Sequence, residues 1–252
     1  MMEIRFNRFI KLGVMLLVAS LLIGCASTNG PEQVNDPLES VNRGVFTFNE
    51  QVDIYAVGPL SRGWVAITTD GMRTGVTNFY RNLAAPGHAL NAALQGKWGQ
   101  AGEVSGRFVV NSTIGLLGLF DPAASMGLNT DREDFGQTLG VWGVEQGPYL
   151  VLPLLGSSST RDVARYPVDW YTDALVWLAL DSATLGAFTA LYVINTRARF
   201  EQQVQMQRDA PDPYAFSRSA YLQRRQSLVY DGNPPLDEDP YSDFFDELEG
   251  DN

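Results

Sequence analysis

Two stretches of this chain are too apolar for an exposed surface and too broken for a regular membrane span, and they restrict the fold more than any other feature. From Leu139 to Gly156 the only charged residue is Glu145. Within it, Tyr149-Leu150-Val151-Leu152-Pro153-Leu154-Leu155 is apolar on every side, while Gly147-Pro148 and Pro153 argue against a regular helix. A buried strand, a core helix segment and a surface against lipid all remain open for that run. The second stretch runs from Trp170 to Ile194, and its part from Ala174 to Ile194 is 21 residues long. About 20 apolar residues cross a bilayer, but Asp181 stands near the centre and Asp173 just before it. An ionised Asp at the bilayer midplane is costly, and Gly186 and several Thr and Ser residues weaken a span further. The reading is one or two helices lying in or near a membrane face, or an ordinary core helix, rather than a crossing.

The first residues point to a membrane by another route. Arg5, Arg8 and Lys11 precede a short apolar run from Leu12 to Ile23, the layout of a secretory signal. The run ends Leu22-Ile23-Gly24-Cys25, similar to a bacterial lipobox, in which the signal is cut before a Cys whose thiol carries diacylglycerol. Cys25 is the only cysteine, so no internal disulfide competes for it. Several acyl chains on one residue give stable anchoring. Residues 1–24 are therefore expected to be a signal peptide, and Cys25 the lipid anchor. Ala26 favours the outer membrane, because an Asp there would suggest retention in the inner one.

Charge sets aside nucleic acid. The formal net charge is −11, which repels phosphate backbones at long range. The acidity is concentrated at the end: residues 231–252 hold nine acidic residues and no basic one, so the body is nearly balanced. Such a tail buries too little surface to fold. It does carry Tyr241, Phe244, Phe245 and Leu248 at helical spacing, so a partner-docking helix stands beside the blander reading of a solubilising tail.

Between a polar tether (25–35) and the tail, residues 36–230 read as a helical domain. Asp36-Pro37-Leu38-Glu39 has the form of a capped helix start. Val41, Val45, Phe48, Val52 and Tyr55 then form one apolar face, with a stop expected near Gly58-Pro59. A second helix is expected through Val76, Phe79, Tyr80 and Leu83, ending before Pro86-Gly87. A third carries Leu90 and Leu94 and ends near Gly96, and a fourth carries Ala101, Val104 and Phe108. The glycine-rich segment 114–120 stops at Asp121-Pro122 and suits either a hinge or close helix packing. After Asn195 the chain turns polar and helical, with Phe200 and Val204 on one side. Asp212-Pro213 opens a last helix made basic by Arg218, Arg224 and Arg225, and Asp231-Gly232 and Pro234-Pro235 close the folded part.

Reactive chemistry is sparse. His88 is the one histidine, so no His/Cys metal cluster is available, and a Ser-His-Asp triad would have to use it. Gly156-Ser157-Ser158-Ser159 does not match Gly-x-Ser-x-Gly, and no Gly-Lys-Ser or Gly-Lys-Thr follows the scattered glycines. Asp131, Glu133 and Asp134 could hold a cation but more often such a run opens a helix. No enzyme signature, metal or cofactor is expected.

Four ordered blocks resemble the MlaA family, also called VacJ. They are Asp36-Pro37-Leu38-Glu39 with Asn42-Arg43, Phe46 and Phe48-Asn49; Asn111-Ser112-Thr113-Ile114-Gly115 with Gly118 and Phe120-Asp121; Phe135-Gly136 through Thr138-Leu139-Gly140 and Gly147-Pro148-Tyr149 to Leu152-Pro153 and Arg161-Asp162; and Asp212-Pro213-Tyr214 with Ala220-Tyr221 and Gln223-Arg224. Gly156-Ser157-Ser158-Ser159-Thr160 departs from the shorter linker common in the family. The resemblance implies an all-α fold, a ring-like helical assembly lying in the inner leaflet of the outer membrane around a central amphipathic channel. It also implies a lipoprotein that takes phospholipid misplaced in the outer leaflet and passes it to a soluble MlaC-like periplasmic carrier, with outer-membrane porin trimers as membrane partners. Within that picture Asn42, Arg43, Asn111 and Asp121 are candidate polar positions along the head-group path, against the alternative of helix capping and interhelical hydrogen bonding. Two other classes stay open: a passive scaffold for porins, and a membrane-bound lipid hydrolase built on His88 and a serine.

Overall fold

A computed structural model describes residues 36–128, 131–178 and 181–235 of the chain. The anchor Cys25, the tether and the tail residues Tyr241, Phe244, Phe245 and Leu248 lie outside the described residues.

Helix α1 (Glu39–Val52) begins two residues later than the expected cap would place it. Asp36 instead holds the turn before the helix, accepting hydrogen bonds from Leu38 N and Asn42 Nδ2. The chain does not stop at Gly58-Pro59. A π-helical turn (Asp53–Val57) carries it directly into α2 (Gly58–Ile67), because Pro59 sits in the first turn of α2, where its missing N–H leaves no intrahelical bond unmade.

The second and third expected helices are one. Helix α3 (Asp70–Leu94) runs through Pro86. A proline inside a helix removes a backbone hydrogen bond, but Leu83, Ala85, Gly87, Asn91 and Ala92 around it are all buried, so packing offsets the loss. At Gly87 a Cβ would lie 2.5 Å from Thr172 Oγ1, so the absent side chain admits a neighbouring helix. Gly96, at φ +77°, ends α3 and lets Lys97 N return to the Ala92 carbonyl at 2.9 Å.

Helix α4 (Trp98–Thr113) buries Val104 and Asn111. The segment 114–120 then coils tightly, with Leu116, Leu117 and Gly118 all at positive φ. Asp121 caps the short α5 (Pro122–Ser125), accepting from Ala124 N. Asp134 caps α6 (Phe135–Val141) in the same way through Gln137 N at 2.8 Å, so the acidic run does open a helix.

The all-α expectation holds apart from one hairpin. Tyr149–Leu152 forms β1 and pairs antiparallel with β2 (Gly156–Ser159), with Tyr149 opposite Ser159 and Leu152 opposite Gly156. Of the three readings open for the run at Tyr149, the buried strand is the one adopted. Tyr149 and Val151, buried on the same face, join Tyr214 in the hydrophobic core, against Val45, Phe46, Tyr221 and Leu222.

The Trp170–Ile194 stretch is divided. A 3₁₀ turn (Asp162–Ala164) leads into α7 (Arg165–Thr172), followed by α8 (Ala174–Leu178) and α9 (Ser182–Arg199). Asp181 is the cap of α9, accepting from Thr184 N at 2.7 Å. Among the described residues no single helix is long and apolar enough to cross a membrane, and the segments on either side of this break are bent by 116°. Helices α10 (Glu201–Asp209) and α11 (Pro213–Val229) complete the fold, with Asp212 capping α11 through Tyr214 N and Ala215 N.

Candidate functional site: an amphipathic cavity

The distribution of side chains is inverted. Asn42, Asn91, Asn195, Thr138, Asp162 and Arg225 are buried, while Ile67, Trp98, Leu117, Trp177 and Leu178 are exposed. A soluble surface leaves such residues out singly. Here Ile114, Leu116, Leu117, Leu119 and Phe120 form a consecutive apolar edge, and Trp170, Tyr171, Trp177 and Leu178 form another, a pattern that marks an interaction surface.

The buried polar groups organise the interior. Asp53, on the π-helical turn, receives Arg197 from α9 at 2.8 Å and Arg208 from α10 at 2.8 Å, and so ties the first helices to the later ones. Asn195 on α9 accepts from Trp64 Nε1 at 3.0 Å and donates to Thr77 Oγ1 at 2.9 Å, joining α2, α3 and α9. On the far side, Arg225 of α11 bridges Asp134 before α6 and Asp162 before α7.

This frame surrounds a cavity of about 1140 Å³, lined by α3, α4, α7, α8, α9 and α11 and by the segment before α6. Pockets for small molecules are roughly 300–1,000 Å³, so this one suits a larger ligand. Its wall changes character along α9. Leu185, Thr189, Tyr192, Thr196 and Arg199 all face the cavity, at steps of four and three that keep one helical face. At 1.5 Å per residue, Leu185 and Arg199 are separated by roughly 21 Å along the axis. Leu175 and Val176 of α8 also line the cavity, as do Arg81, Arg132 and Arg224. The cavity is thus amphipathic, with both apolar and cationic groups in its wall.

The candidate path residues divide between cavity and frame. Asn111 and Asp121 line the cavity but are bonded to each other at 2.9 Å. Asn111 also accepts from Ala123 N, and Asp121 pairs with Arg107 at 2.7 Å. Burial pushes the Asp121 carboxyl up, but Asn111 and Arg107 outweigh it and hold it below the usual carboxylate range. Asn42 and Arg43 do not line the cavity. Asn42 grips β1, donating to Tyr149 O and accepting from Val151 N, both at 2.9 Å. Arg43 pairs with Asp212 at 2.6 Å and with Glu39 at 2.7 Å, and stacks over the Tyr214 ring at 4.4 Å. Both residues therefore hold the first helix to the hairpin and to α11.

His88 also lines the cavity, with Nδ1 donating to the Glu133 carbonyl at 2.6 Å. Burial lowers its pKa, which leaves the ring neutral at pH 7. Among the described residues no serine hydroxyl hydrogen-bonds to it. No group of three or more His, Cys, Asp or Glu is placed to hold a metal ion among those residues.

Arg81, Arg132 and Arg199 were not singled out from the sequence. The signal for Arg199 was present, as Thr189, Tyr192 and Thr196 at spacings that share its helical face. Arg81 and Arg132 carried none, since nothing local distinguishes an arginine facing a cavity from one facing solvent.

Comparison with known proteins agrees with this architecture. The profile of the MlaA lipoprotein family matches residues 34–228. The intermembrane phospholipid transport system lipoprotein MlaA of Escherichia coli K12 is 35% identical over 236 residues, covering 92% of this chain and 93% of that protein. The protein of the same name from Haemophilus influenzae is 33% identical over 223 residues, covering 86% of this chain and 89% of its own length. An uncharacterized protein of Rickettsia bellii is 36% identical over 217 residues, 82% of this chain and 81% of that one. A solved structure described as the structural basis for maintenance of bacterial outer membrane lipid asymmetry superposes with a TM-score of 0.69 at 33% identity, over 77% of this chain and 99% of that one. The chain belongs to the MlaA lipoprotein family.

Proposed function

We propose that this chain withdraws misplaced phospholipid from the outer leaflet of the outer membrane through its cavity and passes it to a soluble periplasmic carrier. The carrying observation is the amphipathic cavity inside an apolar exterior. A phospholipid has a charged head and apolar tails, and a path for it needs both kinds of wall. The work is transfer between environments, with no bond made or broken, which suits a cavity whose one histidine is neutral and engaged with a backbone carbonyl. The names of the relatives support the same reading, since those proteins are lipoproteins of an intermembrane phospholipid transport system.

In this reading residues 1–24 are removed, Cys25 carries the acyl chains, and residues 25–35 tether the 36–230 domain to the periplasmic face of the outer membrane. The exposed edges at 114–120 and 170–178 lie in the inner leaflet. A leaflet is about 15 Å of hydrocarbon, half of the usual core, so helices broken at Asp173 and Asp181 fill it without crossing. Porin trimers are the proposed neighbours within the membrane, and an MlaC-like carrier the acceptor. Asn111 and Asp121 stay in the proposal as residues of the cavity wall, and the 241–248 segment as a docking peptide.

The test is the phospholipid content of the outer leaflet, measured by labelling intact cells with and without the chain, with Cys25→Ala as the anchoring control. The expected result is more surface phospholipid without the chain and rescue only by the wild type. No change on removal would favour a porin scaffold over transport.

A further inference from the structure

The arginines of the cavity fall into two classes. Arg107 is paired with Asp121, and Arg165 and Arg225 share Asp134. The guanidinium groups of Arg81, Arg132, Arg199 and Arg224 have no hydrogen bond, ion pair or ring contact among the described residues. They come from α3, the approach to α6, the end of α9 and α11, four separate elements. They are nonetheless close enough to repel one another. Burial lowers the pKa of Arg81, with the like charges of Arg132 and Arg199 adding to it. Burial likewise lowers that of Arg132, opposed by Tyr192 and with the like charges of Arg199 and Arg224 adding.

The carboxylates that face them do not cancel this charge. Asp121 and Asp134 are committed to the paired arginines, and Glu133 to Lys97. Asp169 and Asp173 accept from backbone, from Phe135 N at 3.2 Å and Leu175 N at 2.8 Å, and burial raises both, Asp169 to about 6. Asp131 also lines the cavity and has a partner of its own. A chain with a formal net charge of −11 thus lines its cavity with four solvent-accessible arginines whose guanidinium groups have no ion pair among the described residues. All four residues are exposed and so open to a ligand that enters the cavity; clustered like charges repel until an anion joins them, and guanidinium forks match the oxygen geometry of phosphate.

We propose that Arg81, Arg132, Arg199 and Arg224 form a head-group site that selects phospholipids of net negative charge over zwitterionic ones. This rests on the phospholipid reading above and adds a selectivity to it. Both lipid classes offer a phosphate to the forks. A zwitterionic head also brings an ammonium into a cluster of cations, where like charges repel, whereas an anionic head brings only the attraction.

The experiment uses the full lipidated chain in detergent, equilibrated with equal amounts of phosphatidylglycerol and phosphatidylethanolamine, and the retained lipid is quantified by mass spectrometry. Wild type should retain about tenfold more phosphatidylglycerol, the size expected of one charge-assisted contact. The quadruple variant R81Q/R132Q/R199Q/R224Q should retain both lipids about equally. Because none of the four guanidinium groups has a hydrogen bond or ion pair among the described residues, the variant should keep its near-UV circular dichroism, and single R199Q should reduce the ratio part-way. An unchanged ratio in the quadruple variant, or equal retention by wild type, overturns the selectivity and leaves transport standing. Retention of neither lipid by wild type overturns the phospholipid reading itself. Displacement of phosphatidylglycerol by equimolar inorganic phosphate would make this a site for free phosphate and overturn the head-group assignment.

Discussion

Arg225 meets Asp134 in a two-point fork, Nη1 to Oδ2 at 2.6 Å and Nη2 to Oδ1 at 2.9 Å, across 91 residues of sequence. The same guanidinium reaches Asp162 through Nε at 2.8 Å, and Tyr221 donates to Asp162 at 2.5 Å. One arginine therefore fixes the starts of α6 and α7 against α11, and with them one wall of the cavity.

Loss of that fork should be costly. Arg225 is 3% exposed, and Arg225→Met leaves two carboxylates facing a site built for a cation. A fall of about 3–5 kcal/mol in unfolding free energy is expected, read from urea denaturation of the detergent-solubilised protein. Burial alone would raise Asp134 and Asp162, but Arg225 on both, Arg165 on Asp134 and Tyr221 on Asp162 overcome it and hold both below their ordinary value. Their stabilisation is then fully present above about pH 4, the unfolded range, and is lost as pH falls through the folded values. Wild type should lose stability in that acid window and the variant much less; equal acid sensitivity would show that the fork does not set it.

Asp169 has the opposite sign. Burial, with the nearby charge of Asp134, pushes its carboxyl up to about 6. Between about pH 4 and 6 the folded protein holds this proton more tightly than the unfolded chain, so stability falls as pH rises through the window. Asp169→Asn keeps an acceptor for Phe135 N, which bonds Oδ1 at 3.2 Å. It should raise stability at pH 7.5 by on the order of 2 kcal/mol and leave it unchanged at pH 4. Denaturation curves at the two pH values would decide; a gain of equal size at both would mean the cost is not one of ionisation.

Adjacent residues on α1 should differ sharply. Asn42 is 1% exposed and satisfies both a carbonyl and an N–H of β1. Asn42→Ala leaves those groups buried and unpaired, for a loss of about 3 kcal/mol. The Arg43–Asp212 pair is open to solvent on both sides, so Arg43→Ala should cost about 1 kcal/mol or less, although hydrogen bonds from Arg43 and the α11 backbone depress Asp212 to about 2. Comparable losses for the two variants would contradict the hairpin-anchoring role of Asn42.

Gly118, within the 114–120 segment, and Gly127, beyond it, separate packing from backbone freedom. Gly118 (φ +92°) has Asn82 Cβ only 2.4 Å from where its own Cβ would stand, while Gly127 (φ +80°) has nothing within 4 Å. Alanine at Gly127 should cost only the backbone strain, roughly 1–2 kcal/mol. Gly118→Ala should cost clearly more, because Asn82 is held by Ser112 Oγ at 2.8 Å and cannot give way freely. Equal shifts in thermal midpoint would favour the hinge reading of this segment over close packing.

The legible parts of this protein were those written in local chemistry. Asp212-Pro213 and Asp134 announced helix starts because a side-chain oxygen beside free backbone N–H groups caps wherever it stands. The helical character of residues 39–113 followed from apolar spacing, yet the boundary at Pro86 did not. A proline is a local stop signal, and whether it stops a helix depends on burial contributed by other elements. The strand at Tyr149 was ambiguous because a short apolar run has no period to read, and Asn42, far away in sequence, completes its hydrogen bonding.

The candidate site shows the same division. The sequence by itself determined that the 139–156 and 170–194 stretches are too apolar for an ordinary exposed surface, that the 174–194 stretch breaks before it can cross a bilayer, and that His88 is the one histidine a Ser-His-Asp triad could use. Only the tertiary structure decided which polar groups face inward. It turned Asn42 and Arg43 into struts, paired Asn111 with Asp121, and gathered Arg81, Arg132, Arg199 and Arg224 from four elements into one cavity. The reason is that a charge has no periodicity of its own. Its partner, or the lack of one, is set by the packing of helices distant in the chain, and that packing exists only once those helices have come together.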